Sequence, residues 1–154
     1  MKVKELMSTD VKSCTPETDL ATVVRMMWDG DCGIIPVVDD QRRVIGVITD
    51  RDICIAAATR SLDPARIRVS DAMTRDVSTC SEDVDPRSAL QTLKERRIRR
   101  LPVVNRQDRL VGVLSLNDLV RRADCRQGGT GVPGEEFLET LRVICAHPTP
   151  VAGA

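Results

Sequence analysis

Two short phrases in this chain have the residue types and spacing to hold a hydroxyl-bearing or anionic ligand. Gly46-Val47-Ile48-Thr49-Asp50-Arg51-Asp52 and Gly112-Val113-Leu114-Ser115-Leu116-Asn117-Asp118 each run from an apolar stretch into a hydroxyl residue, with a carboxylate three positions on. If the apolar stretch is a strand and the hydroxyl opens a helix, the two groups stand side by side at the helix N-terminus. Free backbone N–H groups and partial positive charge gather there and receive anions. An ionised Asp only accepts hydrogen bonds, so its two oxygens suit the neighbouring hydroxyls of a ribose. Taken singly, each phrase also reads as an N-cap with an acidic first turn, which stabilises many helices by about 1 kcal/mol.

Other candidate groups supply less. The run Lys94-Glu95-Arg96-Arg97-Ile98-Arg99-Arg100 reads as a nucleic-acid patch or, more simply, as a solvated helix end. Basic and acidic residues balance at 23 each, so no global field draws in nucleic acid or a membrane surface. Trp28 and Phe137 are the only aromatics, which leaves no row of stacking platforms for single-stranded nucleic acid. Cys14, Cys32, Cys54, Cys80, Cys125 and Cys145 form no C-x-x-C pair and have no His at ligand spacing. They read as small apolar residues in a reducing compartment, and no metal site is expected. His147, the sole histidine, lies in a Pro-rich tail without a nucleophile at recognisable spacing, so no enzyme is expected. No stretch approaches the roughly 20 apolar residues of a membrane span, and a cytoplasmic location is the expectation.

The two phrases are parts of a longer repeat. At the same offset that takes Asp52 to Asp118, Pro36-Val37-Val38 returns as Pro102-Val103-Val104, and Met7, Asp10, Val11, Cys14, Gln41 and Arg43 return as Met73, Asp76, Val77, Cys80, Gln107 and Arg109. Such copies imply one supersecondary unit used twice, each too small to bury its apolar face alone. Each reads as β-α-β-β-α, which makes the chain an α/β (α+β) protein with pseudo-two-fold symmetry. In the first copy, strand Val11–Cys14 precedes a helix carrying Leu20, Val23, Val24 and Met27; the hairpin Ile34–Val38 and Arg43–Ile48 follows, then helix Asp52–Ala57. In the second, strand Asp76–Thr79 precedes a helix opened by Asp85-Pro86; hairpin Leu101–Val104 and Leu110–Leu114 leads into helix Asn117–Ala123. The expected boundaries are 1–62, 63–124, and a tail over 125–154. In that tail Gln127–Gly134 is a Gly-rich, mobile linker and Glu135–Ala146 a short docking helix.

With the x-x-P-V-V strand and the G-h-h-[ST]-x-x-D phrase each present twice, the chain resembles a tandem pair of CBS domains (named for cystathionine β-synthase), or Bateman module, over residues 3 to 124. The resemblance implies a regulatory module without catalytic activity or required cofactor. It implies an adenosine-containing ligand, of the AMP, ADP, ATP, S-adenosylmethionine or NAD type, in two clefts between the copies. It also implies a homodimer, and signal transduction to a separate, unknown effector protein; neither a membrane nor a nucleic acid is an expected partner.

By the same resemblance, Asp118 in the second cleft holds the ribose hydroxyls and Ser115 faces ribose or phosphate. Arg99 and Arg100, just before Leu101-Pro102, stand where such modules place phosphate-binding groups, and the base rests near Val11, Ser13, Cys14 and Thr15. In the first cleft Thr49 and Asp52 match the ribose pattern, Ile34-Ile35-Pro36 supply the strand, and the base lies near Val77, Thr79, Cys80 and Ser81. Gly33 and Ile34 occupy the positions of Arg99 and Arg100 there, with Arg51 as the available replacement cation. The second cleft is therefore expected to favour a phosphorylated nucleotide, and the first an adenosine moiety of little charge or nothing. The competing reading is a ligand-free structural or interaction module or a redox-responsive dimer.

Overall fold

The computed structural model describes residues 1–121 and 131–146. In the first copy α1 (Leu20–Asp29) leads to the hairpin β1 (Ile34–Val38) and β2 (Val44–Thr49) and then to α2 (Asp50–Arg60). In the second, the short β3 (Cys80–Ser81) precedes α3 (Pro86–Arg96), the hairpin β4 (Arg100–Val104) and β5 (Leu110–Ser115), and α4 (Leu116–Arg121). A further helix, α5 (Gly134–Cys145), packs on α3. The result is a mixed α+β fold with two small sheets, β1-β2 and β3-β4-β5.

The copies agree in detail because the same side chains start and stop the same elements. Asp19 and Asp85 cap α1 and α3, accepting from the backbone N–H of Thr22 at 2.8 Å and of Ser88 at 3.0 Å. These bonds, with those from the Thr22 and Ser88 hydroxyls, hold both carboxyls below the usual carboxylate range. The hairpins share one register, Ile34 opposite Thr49 and Arg100 opposite Ser115, and each slips before its last valine, Val38 or Val104. Left-handed residues at equivalent places, Arg42 (φ 62) and Asp108 (φ 57), turn the two hairpins. Asp31 (φ 44) and Arg97 (φ 52) likewise turn the chain after α1 and α3.

Two expected strands are not strands. Val11 and Val77 each donate their N–H to the carbonyl two residues back, Thr9 and Arg75, at 3.0 and 2.9 Å. Such tight turns break the extended run and point these segments toward the space between the copies. Sheet pairing starts only later, at Cys80 opposite Val103 and, in the first copy, at the single bridge of Cys14 with Val37. Between α2 and the second copy the chain makes a 3₁₀ turn, Pro64–Arg66, capped by Asp63, and Ile67 beyond it is 1% exposed. Gln127–Thr130 of the expected mobile linker, the end of the Asn117–Ala123 helix, Cys125 and His147 lie outside the described residues.

The core is split into two aliphatic clusters, and each copy lends its leading segment to the other. Val3 and Leu6 pack with Leu90, Leu93, Leu114 and Leu119 of the second copy. Ile67, Val69 and Met73 pack with Leu20, Val23, Ile35 and Ile48 of the first. The backbone follows the same exchange. Val3 N–H donates to Val84 O at 3.0 Å and Val69 N–H to Thr18 O at 2.8 Å. Ser8 then bridges Val113, and Thr74 bridges Val47. Gly46 and Gly112 sit at those crossings: a Cβ on Gly46 would lie 2.8 Å from Thr74 O, and one on Gly112 3.0 Å from Ser8 O, against Met7.

Candidate functional site

Strand β2 ends on Thr49 and β5 on Ser115, and both hydroxyls turn into reciprocal hydrogen bonds with the carboxylate three residues on. Thr49 Oγ1 and Thr49 N–H donate to Asp52 Oδ2 at 2.7 and 3.0 Å, while Asp52 N–H donates to Thr49 Oγ1 at 3.2 Å. Ser115 and Asp118 repeat this at 2.6, 2.8 and 3.1 Å. The phrase is a capping box in both copies, and it engages only one carboxylate oxygen of each Asp. In each Asp only Oδ2 is engaged among the described residues, so Oδ1 stays available to accept. Both carboxylates are half-buried and line a cleft between the copies.

The clefts are related by the repeat and differ in size and charge. The Asp118 cleft encloses about 370 Å³ and takes Ser8, Asp10, Val11 and Lys12, with Asp31, Cys32, Ile34 and Ile35, from the first copy. Ser115, Asn117, Arg121 and Arg100 complete it from the second. The Asp52 cleft encloses about 730 Å³ and takes the equivalent Thr74, Asp76, Val77 and Ser78, with the run Arg96 to Arg100, from the second copy. Thr49, Asp50, Arg51, Gly33, Ile34 and Val47 complete it from the first, and Ile144 and Ala146 come from α5 and its end. Both volumes suit a small-molecule ligand.

The expected furnishing of the clefts is thus crossed. The turn after α3 carries Arg99 away from Asp118 and into the Asp52 cleft, with Arg96 and Arg97; Arg100 stands on the pseudo-two-fold and lines both. The turn after α1, equivalent but bearing Gly30 and Asp31, faces Asp118 instead. One left-handed position therefore presents an acid, Asp31, to one cleft and a base, Arg97, to the other. The cleft expected to be poor in cations is the one bordered by five arginines, of which Arg96 is shared with Asp76 at 3.8 Å.

Of the residues expected at the second cleft, Val11, Arg100, Ser115 and Asp118 line it. Ser13 and Thr15 do not, Thr15 being tied to Thr18 at 3.1 Å; Cys14 and Leu101 are buried in the cores, and Pro102 lines the other cleft. At the first cleft Val77, Ile34, Thr49, Arg51 and Asp52 are in place. Ile35 faces the second cleft, Pro36 and Cys80 are buried, Thr79 lines a separate hollow beside Asp39 and Arg43, and Ser81 accepts from Asp83 N–H at 3.3 Å. Burial pushes the Cys14 thiol up to about 12 and that of Cys80 up to about 11, so neither offers a thiolate at neutral pH. Asp10, Lys12, Asp31 and Asn117 were missed, as were Asp76, Arg96, Arg97 and Ile98. Applying the repeat offset to Val11 and to the turn before each hairpin would have found them in pairs. Ile144 and Ala146 have no repeat partner and no such signal.

The CBS-domain family profile matches residues 3–58 and 69–124. The chain is 35% identical over 153 residues to the uncharacterized 17.7 kDa protein in the bps2 3′ region of Acidianus ambivalens, covering 99% of this chain and 88% of that protein. It is 31% identical over 121 residues to inosine-5′-monophosphate dehydrogenase of Methanocaldococcus jannaschii, 79% of this chain and 23% of that enzyme. Its backbone also superposes on the CBS domain pair of protein MJ0100, solved with 5′-methylthioadenosine and S-adenosyl-L-methionine. There the TM-score is 0.70, with 24% identity, over 79% of this chain and 94% of that one. Both hydroxyl–carboxylate phrases, Thr49 to Asp52 and Ser115 to Asp118, fall inside the matched ranges, and the chain belongs to the CBS-domain family.

Proposed function

We propose that this chain is a regulatory module that binds an adenosine-containing ligand between its two CBS domains and passes the change on through a dimer or effector surface. The carrying observation is the pair of carboxylates, Asp52 and Asp118, each with Oδ2 spent on its helix and Oδ1 free toward a cleft. The adenosyl ligands bound by the MJ0100 domain pair support the same reading. Charge then distinguishes the sites. The Asp52 cleft, where five arginines outnumber Asp50, Asp52 and Asp76, takes a phosphorylated nucleotide; the Asp118 cleft, where Asp10, Asp31 and Asp118 balance Lys12, Arg100 and Arg121, takes an adenosyl group of little net negative charge. This reverses the assignment that the linear sequence suggests.

The test is calorimetry and thermal shift with AMP, ATP, S-adenosylmethionine and NAD. A ligand at a hundredfold over its dissociation constant stabilises the fold by about 2.7 kcal/mol. Asp52→Ala leaves ribose hydroxyls unpaired and is expected to weaken the phosphorylated nucleotide by about tenfold or more, with Asp118→Ala having little effect on it. Equal ATP affinity in wild type and Asp52→Ala removes the site assignment. No shift with any of the four ligands, together with an oxidation-dependent change in mobility, favours the ligand-free redox module, for which Cys54 and Cys145 are the exposed thiols among the described residues.

A further inference from the structure

We infer that the far end of α5 is a wall of the Asp52 cleft, and that a nucleotide in that cleft and the docked helix stabilise one another. This rests on the nucleotide reading above and adds a regulatory element that the CBS repeat does not contain. Ile144 and Ala146 line the cleft beside Ile98, Val47 and Pro102, giving an apolar flank opposite the arginines. No residue from α5 lines the Asp118 cleft, which has half the volume. The two clefts thus differ not only in charge but in having or lacking this wall.

The helix is held by a small set of contacts. Phe137 and Val132 enter the second core, and Thr140 is 1% exposed, its hydroxyl turned back to Glu136 O. Arg87 pairs with Glu136, and Lys94 Nζ with Glu139 Oε1 at 2.7 Å. Those pairs are solvent-exposed and contribute little each, so the buried Phe137 carries most of the docking of α5. Its partner α3 ends directly in Arg96 and Arg97, which line the same cleft. A ligand whose phosphates engage that end of α3, and whose base rests on the apolar flank, touches α5 and its support together. By linkage, anything that loosens the helix weakens the ligand by the factor that the ligand tightens the helix.

The experiment is ATP titration by calorimetry of the full chain, paired with amide hydrogen exchange over residues 134–145. The variants are Ile144→Ser, which alters the wall, and Phe137→Ala, which loosens the helix from the second core without touching the cleft. The expected result is an ATP affinity lower by about fivefold in each variant, and slower exchange of α5 in wild type when ATP is bound. ATP binding that depends on Asp52 but is equal in all three proteins, with α5 exchange unchanged by ATP, overturns the inference and leaves the nucleotide reading standing. Wild type that binds neither ATP nor AMP overturns the inference together with the phosphorylated-nucleotide assignment of the Asp52 cleft. Should either variant fail to fold, the other and the wild-type exchange data decide.

Discussion

Asp52 and Asp118 each spend one carboxylate oxygen on the helix start and leave the other without a partner among the described residues, which is why a capping motif and a binding motif are hard to tell apart in one copy. The cysteines raise the opposite case, residues whose chemistry burial suppresses. Cys14 and Cys80 have thiols lifted to about 12 and about 11 by desolvation. Their unfolded values lie near 8.5, so the folded state prefers them protonated. That preference stabilises the fold fully below about pH 8.5 and is lost as pH rises toward the folded values. Chemical denaturation at pH 8, 9.5 and 10.5 is expected to show falling stability, and the chain has no tyrosine to contribute to the loss. A Cys14→Ala/Cys80→Ala double variant is expected to have a flatter profile; an unchanged slope would assign the loss to other groups. The hydroxyl–carboxylate pairs were readable in the sequence because type and spacing define them. Which cleft Arg99 joins was not, because that depends on a left-handed residue after α3 and on the sense of the pseudo-two-fold.

The elements were readable wherever a local signal starts or ends them. Asp19, Asp85 and Pro86 open helices as their chemistry dictates, and both hairpins span nearly the expected residues. The segments 11–14 and 76–79 were misread because a short β-branched stretch next to a hydroxyl residue looks extended, whereas the turns at Val11 and Val77 are set by what each segment faces across the molecule. The glycines show the same dependence on distant partners. Gly46 lies where a Cβ would press on a backbone oxygen, Thr74 O, which has no rotamer to yield. Gly46→Ala is therefore expected to cost about 1–3 kcal/mol in urea unfolding, the range for overpacking. Gly112→Ala, pressing chiefly on the flexible Met7 side chain, is expected to cost less. Equal losses for the two would show that the crossings yield alike.

For the molecule as a whole, the repeat implied one unit used twice with neither copy able to bury its apolar face alone, and the exchange of leading segments is how each copy completes the other's core. The outer helical face is left apolar: Trp28 is 86% exposed, with Val24 and Ile55 beside it on the adjoining α1 and α2. It is the face on which to test the dimer surface of the proposed function. Sedimentation of wild type is expected to give a dimer and of Trp28→Glu a monomer; a monomeric wild type removes the dimer surface. The exchange also sets an order of events during synthesis. Val3 and Leu6 are translated more than a hundred codons before their neighbours Leu114 and Leu119. Ile67, Val69 and Met73, by contrast, emerge to find their half already present. The nascent chain can thus complete its first core while still tethered, but must carry Val3 and Leu6 uncovered until the second is nearly finished.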